Sequence, residues 1–360
     1  MALESRKLES SISLQELSKE AIISIPNRYL HNDQEPNSHL LEASLAPDIP
    51  TIDLKTLVLE QTGGPEHQRL HLTCKEWGIF QLVNHGVSSL IMEKLNYEIE
   101  EFYRLPQEKK MRYKLRAGDF EGYGQTAINS QDQKGLDWAD RFFMITNPIQ
   151  RRKPHLLPQL PPSLRDTLEA YLLELQKLAD ILVLSIVKTL KITKEEVEEM
   201  FEDGIQSVRM AYYPPCPKPE QIMGFRPHSD ATGITILHQV NGVDGLQVKK
   251  DGIWIPVHFL PNAFVVNLGD ILEIWSNGLY KSTEHRVTVN SIKERISIAM
   301  FFNPKFEAEV GPAASITNQD IQPAFRTVTM ENYVKDYFSR KQDTKSFLQD
   351  MRISQGKTAQ

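Results

Sequence analysis

Cysteine is nearly absent from this sequence: Cys74 and Cys216 are the two in 360 residues. That excludes a disulfide framework and a cysteine-rich zinc site, and it suits a reducing compartment. Long apolar runs are missing too. The most hydrophobic helical stretch, "ADILVLSIVKTL" at 179–190, is about a dozen residues and is flanked by charge, whereas a membrane span needs roughly 20. The N-terminus carries Glu4, Arg6, Lys7 and Glu9 with no apolar core, so no secretory signal is expected. Nor is there a basic block long enough for a nucleic-acid track. The formal net charge is −6, and the lysine pairs at 109–110 and 249–250 read as solvated faces. These absences leave a soluble, cytoplasmic protein, expected as a monomer with neither nucleic-acid nor membrane partners.

What is present is ordinary globular sequence in two textures. Residues 1–48 read as a polar arm with one amphipathic patch, "SLQELSKEAI". Over 49–165 short strands such as "IPTIDL" and "IFQLVNH" alternate with helical spacing, as in "SSLIMEKLNYEIEEFYRLP", which has a Ser start and a Pro stop. Residues 118–150 are irregular and aromatic. Over 166–204 a leucine stripe predicts a long amphipathic helix, followed by a second with Thr193 as N-cap. From 205 to 306 six or seven β-rich runs follow one another between Gly, Pro and Asn turns, which predicts a barrel or double-sheet jelly roll. Residues 307–360 read as a C-terminal helix and tail. The fold class expected is α+β, with a jelly-roll core, an N-terminal helical and strand domain, and flanking helices.

The chemistry concentrates in the strand-rich block. In "GFRPHSDATGITILHQ" His228 and Asp230 stand two apart, and side chains two apart on a strand share a face. Chance supplies such a pair in a chain of this composition, and a second one is present at His31-Asn32-Asp33. The company of the first distinguishes it. His285 sits in a later strand-like segment and is the natural third ligand. Two imidazoles and a carboxylate on one face of a metal are the signature of non-haem Fe(II) oxygenases. Ten residues beyond, Arg295-Ile296-Ser297 places a guanidinium and a hydroxyl two apart, a pair that grips a carboxylate. The same parity turns Phe301 inward. A second Arg-x-Ser, at Arg352 and Ser354, lies in the polar tail. His67, His71, His85, His238 and His258 lack such company and read as structural.

The ordered set His228-Ser229-Asp230, His285 and Arg295-Ile296-Ser297 resembles the plant 2-oxoglutarate/Fe(II)-dependent dioxygenase family, as do "AYYPPCP", "NLGDILEIWSNGLYKSTEHR" and "KEWGIFQLVNHGV". Within it, "GDFEGYGQ", "LDWADRF" and "KPHLLPQLP" are most similar to the subgroup of morphinan-alkaloid O-demethylases and senescence-type and norcoclaurine-synthase-like oxygenases. The resemblance implies a double-stranded β-helix core, Fe(II) held by His228, Asp230 and His285, and 2-oxoglutarate held by Arg295 and Ser297 with the Tyr213 hydroxyl assisting. It implies O2 as co-substrate, ascorbate as reductant, and hydroxylation or O-demethylation of an alkaloid, flavonoid or other phenolic. Phe301, Tyr123, Phe142 and Phe143 are the expected contacts of that aromatic substrate. One departure stands out: the family's Asn before Tyr-Tyr-Pro is Ala211 here. Two neighbouring readings are an ascorbate-dependent oxidase and a non-catalytic receptor on the same scaffold. A receptor would be expected to lose a ligand or the arginine, and none is lost.

Overall fold

The computed structural model describes residues 13–19, 24–30, 47–125, 136–317, 319–339 and 346–353. A short helix α1 (Leu14–Leu17) leads to β1 (Thr51–Asp53), α2 (Leu54–Leu59), α3 (Pro65–Glu76), β2 (Ile79–Val83), α4 (Ser89–Arg104) and α5 (Gln107–Lys110). The irregular aromatic region forms two strands, β3 (Gly122–Gly124) and β4 (Asp140–Asn147). The leucine stripe becomes α6 (Pro162–Lys188), which opens on a proline that needs no amide partner. It is followed by α7 (Lys194–Phe201), where Thr193 and Glu196 close a capping box.

The strand-rich block then supplies β5 (Ile205–Tyr213), β6 (Phe225–His228), β7 (Ile234–Gln239), β8 (Leu246–Lys250), β9 (Ile253–Pro256), β10 (Phe264–Leu268), β11 (His285–Val287) and β12 (Arg295–Asn303). A short helix, α8 (Asp270–Trp275), follows β10. The chain closes with α9 (Met330–Ser339) and α10 (Ser346–Met351).

Two sheets make the core. The larger runs β1-β2-β10-β7-β12-β5-β4-β3, and the smaller runs β6-β11-β8-β9. Strands from the N-terminal region therefore extend both edges of the larger jelly-roll sheet. Between the sheets lies a cluster that includes Ile79, Tyr213, Phe225, Leu246, Val248, Val265 and Val287. The opposite face of the larger sheet is covered by α4 and α6, whose Leu168, Leu175 and Leu182 are fully buried. Each such leucine contributes about 1.5–3 kcal/mol of burial. The polar arm is less free than its composition suggests. The amides of Leu14 and Gln15 donate to the buried Asp140 carboxylate at 3.0 and 2.8 Å, and Tyr29 packs edge-on to Trp138.

Strand alternation in β4, β5 and β12 decides what faces the interior cavity. Arg141, Phe143 and Ile145, then Ile205, Ser207 and Arg209, then Phe301 and Asn303 line it. Their neighbours Phe142, Met144, Val208, Met210, Met300 and Phe302 point into the helical core. Tyr123 follows Phe142, its partner in the β3–β4 ladder, to that far side. The expectation that Tyr123 and Phe142 touch substrate is thereby corrected: both are buried around Phe102, and Phe142 stacks on it at 5.5 Å. Phe142→Ala should act on the fold, lowering stability by about 3–5 kcal/mol, read as the midpoint of denaturant unfolding.

Candidate active site

His228 ends β6 and His285 begins β11, directly opposite each other in an antiparallel pair, with ring centroids 4.2 Å apart. Asp230 lies beyond the end of β6, in the turn that leads to β7. Strand parity is thus not what brings it to the imidazoles. The turn swings its carboxylate under the larger sheet, where Thr235 of β7 and Asn267 of β10 donate to Oδ2 at 2.6 and 2.9 Å. The turn is held by close backbone approach. The Asp270 amide donates to the Asp230 carbonyl at 2.8 Å, and a Cβ at Gly269 would come within 2.0 Å of the Thr232 carbonyl oxygen. No side chain larger than hydrogen fits there.

With Oδ2 occupied, Oδ1 turns to the histidines, 3.5 Å from His228 Nε2 and 3.9 Å from His285 Nε2. Each imidazole donates from Nδ1 to a main-chain carbonyl, His228 to Arg226 at 2.7 Å and His285 to Thr283 at 3.1 Å. That fixes the tautomer and leaves the Nε2 lone pairs facing the carboxylate. His228 Nε2 is buried and lacks a hydrogen-bond partner among the described residues. One ligand atom from each of the three residues falls within 4.8 Å of the others, and this is the group among the described residues that could hold a metal ion. Burial, then the neighbouring His228, pushes the His285 imidazole down to about 4, so it stays neutral at pH 7. Burial alone would raise the Asp230 carboxyl, but His285, His228 and Arg209 together hold it well below the usual carboxylate range. Two imidazole nitrogens and a carboxylate converging on one point fit a divalent iron.

A smaller cavity of about 30 Å³ is lined by these three residues and by Tyr213, Leu246, Arg295 and Ser297. Arg295 begins β12 and pairs in register with Tyr213; its guanidinium carbon lies 5.2 Å from the Tyr213 ring centroid. Nη1 donates to Ser297 Oγ at 3.1 Å, while Nε and Nη2 are buried without partners among the described residues. A dry, half-satisfied guanidinium beside a metal site is a receptor for a carboxylate. Ala211 pairs with Ser297 in the ladder, on the same face of the sheet.

The larger cavity, about 230 Å³, is lined by His228 and Asp230 as well. Phe143 and Phe301 form part of its wall, with ring centroids 6.2 Å apart, and Tyr333, Val334 and Tyr337 of α9 close it from the C-terminal side. The α9 residues and Arg141, Arg209, Thr235 and Asn267 were not legible as site residues. Asn267 and Thr235 lie in stretches noted for other reasons, and the rest are fixed by tertiary packing. His31 and Asp33 lie outside the described residues. Arg352 donates to Glu273 at 2.9 Å and is absent from the lining of both cavities, and Ser354 is outside the described residues.

His238 belongs to the core. It is 5% exposed, with Nδ1 3.4 Å from the Tyr171 hydroxyl. Burial, then the charge of His85, lowers its pKa from 6.5 to about 4. The folded chain keeps the ring neutral where the unfolded chain would protonate it. Its contribution to stability is therefore present above pH 6.5 and is lost as pH falls towards 4, at up to about 1.4 kcal/mol per pH unit. Unfolding free energies across that window should fall less steeply in His238→Gln than in the wild type.

The comparisons with known proteins agree with this geometry. The profile of the 2OG-Fe(II) oxygenase superfamily matches residues 204–304, and the N-terminal profile of non-haem dioxygenases in morphine synthesis matches 49–163. Protein SRG1 of Arabidopsis thaliana is 48% identical over 344 residues, covering 95% of this chain and 96% of that protein. Oxoglutarate-dependent flavonoid 7-O-demethylase 1 of Ocimum basilicum is 48% identical, covering 95% and 91%. Codeine O-demethylase of Papaver somniferum is 46% identical, covering 95% and 96%. The crystal structure of JOX2 in complex with 2OG, Fe and JA superposes with a TM-score of 0.84 at 34% identity, covering 95% of this chain and 98% of that one.

Proposed function

The chain belongs to the 2OG-Fe(II) oxygenase superfamily, and from that membership we propose that it hydroxylates or O-demethylates an aromatic specialised metabolite such as a flavonoid, alkaloid or other phenolic. The observation that supports this most is the larger cavity, which opens onto the metal ligands His228 and Asp230 and has the adjoining rings of Phe143 and Phe301 in its wall. The aromatic part of that wall favours an aromatic guest. O-demethylation is supported by the two relatives whose names specify that reaction.

Iron bound by His228, Asp230 and His285 supplies the centre at which O2 and 2-oxoglutarate are consumed to oxidise a substrate C–H bond, giving succinate and CO2. The chain's own part is positional. His228 and His285 present fixed Nε2 lone pairs because their Nδ1 protons are tied to the main chain. Asp230 presents one oxygen because the other is held by Thr235 and Asn267. Arg295 and Ser297 receive the distal carboxylate of 2-oxoglutarate, and Tyr213 packs beside it. Phe143 and Phe301 hold the substrate ring and exclude water from the oxidising centre.

The test is incubation of the full chain with Fe(II), 2-oxoglutarate, ascorbate and a panel of flavonoids, alkaloids and other phenolics. Succinate that depends on one panel member, with a product heavier by one oxygen or lighter by one methylene plus formaldehyde, is the expected result. Substrate-independent succinate with every panel member unchanged would overturn the aromatic-metabolite reading.

A further inference from the structure

Apolar groups dominate the larger cavity, but the region beside His228 is charged. Arg141, Arg209 and Arg226 line it together with two carboxylates, Asp137 and Asp230. Asp230 is a metal ligand, which leaves Asp137 as counter-charge for three guanidiniums. Asp137 is already shared: Oδ1 lies 3.2 Å from Arg226 Nε, and Oδ2 lies 3.3 Å from Arg141 Nη2. Arg209 forms no ion pair among the described residues. Its guanidinium carbon rests 4.6 Å from the Phe225 ring centroid and 5.1 Å from that of Phe301.

Arg141 also rests on the Phe225 ring, at 4.9 Å. It is 8% exposed, and its Nε is buried without a hydrogen-bond partner among the described residues. Two cations thus share one aromatic ring, and that ring meets the His228 imidazole with centroids 4.1 Å apart. Dry guanidinium charge in excess of its carboxylates is costly until an anion joins it. 2-Oxoglutarate does not answer all of that excess. Arg209 lines both cavities, but Arg141 and Arg226 line the larger one and are absent from the lining of the smaller, where Arg295 lies.

We propose that the substrate is an aromatic acid, whose carboxylate pairs with Arg141 and Arg209 beside the iron site while its ring lies against Phe143 and Phe301. This rests on the aromatic-substrate reading above and narrows it. The anion completes the charge balance that Asp137 leaves short, and a planar guanidinium receives a carboxylate on two nitrogens. A protonated amine meets like charge in the same place and is selected against. Among aromatic metabolites, acids are therefore accepted ahead of basic amines.

A matched set on one skeleton tests the charge preference: naphthoate, its methyl ester, and naphthylmethylamine as the ammonium ion. Binding is measured by calorimetry to the full chain saturated with 2-oxoglutarate and Mn(II) in place of iron, so that nothing turns over. The expected order is carboxylate tighter than ester by about tenfold or more, with the ammonium weakest. In Arg141→Met the carboxylate and ester converge, and Arg141→Lys restores part of the gap. An ammonium that binds as well as the carboxylate, an acid no tighter than its ester, or no binding by any member would overturn the inference. The wild-type series decides this even if a variant fails to fold. Succinate release with the phenolic panel is scored separately: failure there bears on the aromatic-metabolite reading, whereas the charge preference stands or falls on binding.

Discussion

Replacing Asp230 with asparagine lowers kcat/KM by more than about 100-fold and strips iron from the protein without unfolding it. The reason lies in how the carboxylate is shared. Thr235 and Asn267 both donate to Oδ2. An asparagine keeps its carbonyl oxygen there to accept both, which turns its NH2 group towards the two Nε2 atoms. That group has protons where the metal needs a lone pair. The fold is kept and the ligand is lost. Removing the holder instead of the ligand gives a graded result. Asn267→Ala leaves a carboxylate free to rotate, and metal affinity should fall by about 10- to 100-fold, as for other outer partners of metal ligands. Iron content after gel filtration and a metal titration separate the two. An Asp230→Asn protein that retains iron at wild-type occupancy would mean that the carboxylate is not a ligand.

Arg295→Met raises the KM for 2-oxoglutarate by about 30-fold or more, because truncating one partner of a buried, hydrogen-bonded charge pair costs about 2–5 kcal/mol. Arg295 is 1% exposed, and two of its nitrogens have no partner in the described structure, so its interaction with a carboxylate is barely screened. Ser297→Ala should cost about fivefold, the size of a neutral hydrogen bond. Arg295→Lys falls between, since the charge survives and the two-pronged geometry does not. A second readout is independent of turnover. At 100 times its Kd, 2-oxoglutarate should stabilise the metal-loaded wild type by about 2.7 kcal/mol, and this gain should fall to about 0.9 kcal/mol or less at the same concentration in Arg295→Met. Equal stabilisation of both proteins would place the co-substrate elsewhere.

The metal ligands were legible because two histidines and an aspartate fell in order within one strand-rich block, with Arg295 and Ser297 behind them. The reason given for their convergence was only partly right. His228 and His285 do face each other across a ladder, but β6 stops at His228, and Asp230 reaches the site through a turn that Gly269 and the Asp270 amide hold in place. Parity worked where a strand is long and uninterrupted. On β12 it carries Arg295, Ser297 and Ala299 to the smaller cavity and Phe301 to the larger one. Residues 140–147 carry the texture of an irregular loop, which hides the strand that turns Phe142 and Phe143 to opposite faces.

Two features had no local signal. Tyr333 and Tyr337 reach the cavity by the docking of α9, about 50 to 110 residues from the metal ligands. The polar arm returns because its amides satisfy the buried Asp140, an interaction between residues about 125 positions apart.

Turnover under ¹⁸O2 tests most directly whether one site couples 2-oxoglutarate to substrate oxidation. One labelled oxygen atom should appear in each succinate, formed together with oxidised substrate in equal amount and absent in the Asp230→Asn protein. Succinate without label, or labelled succinate undiminished by that substitution, would contradict the assignment of His228, Asp230 and His285 as the centre of the reaction.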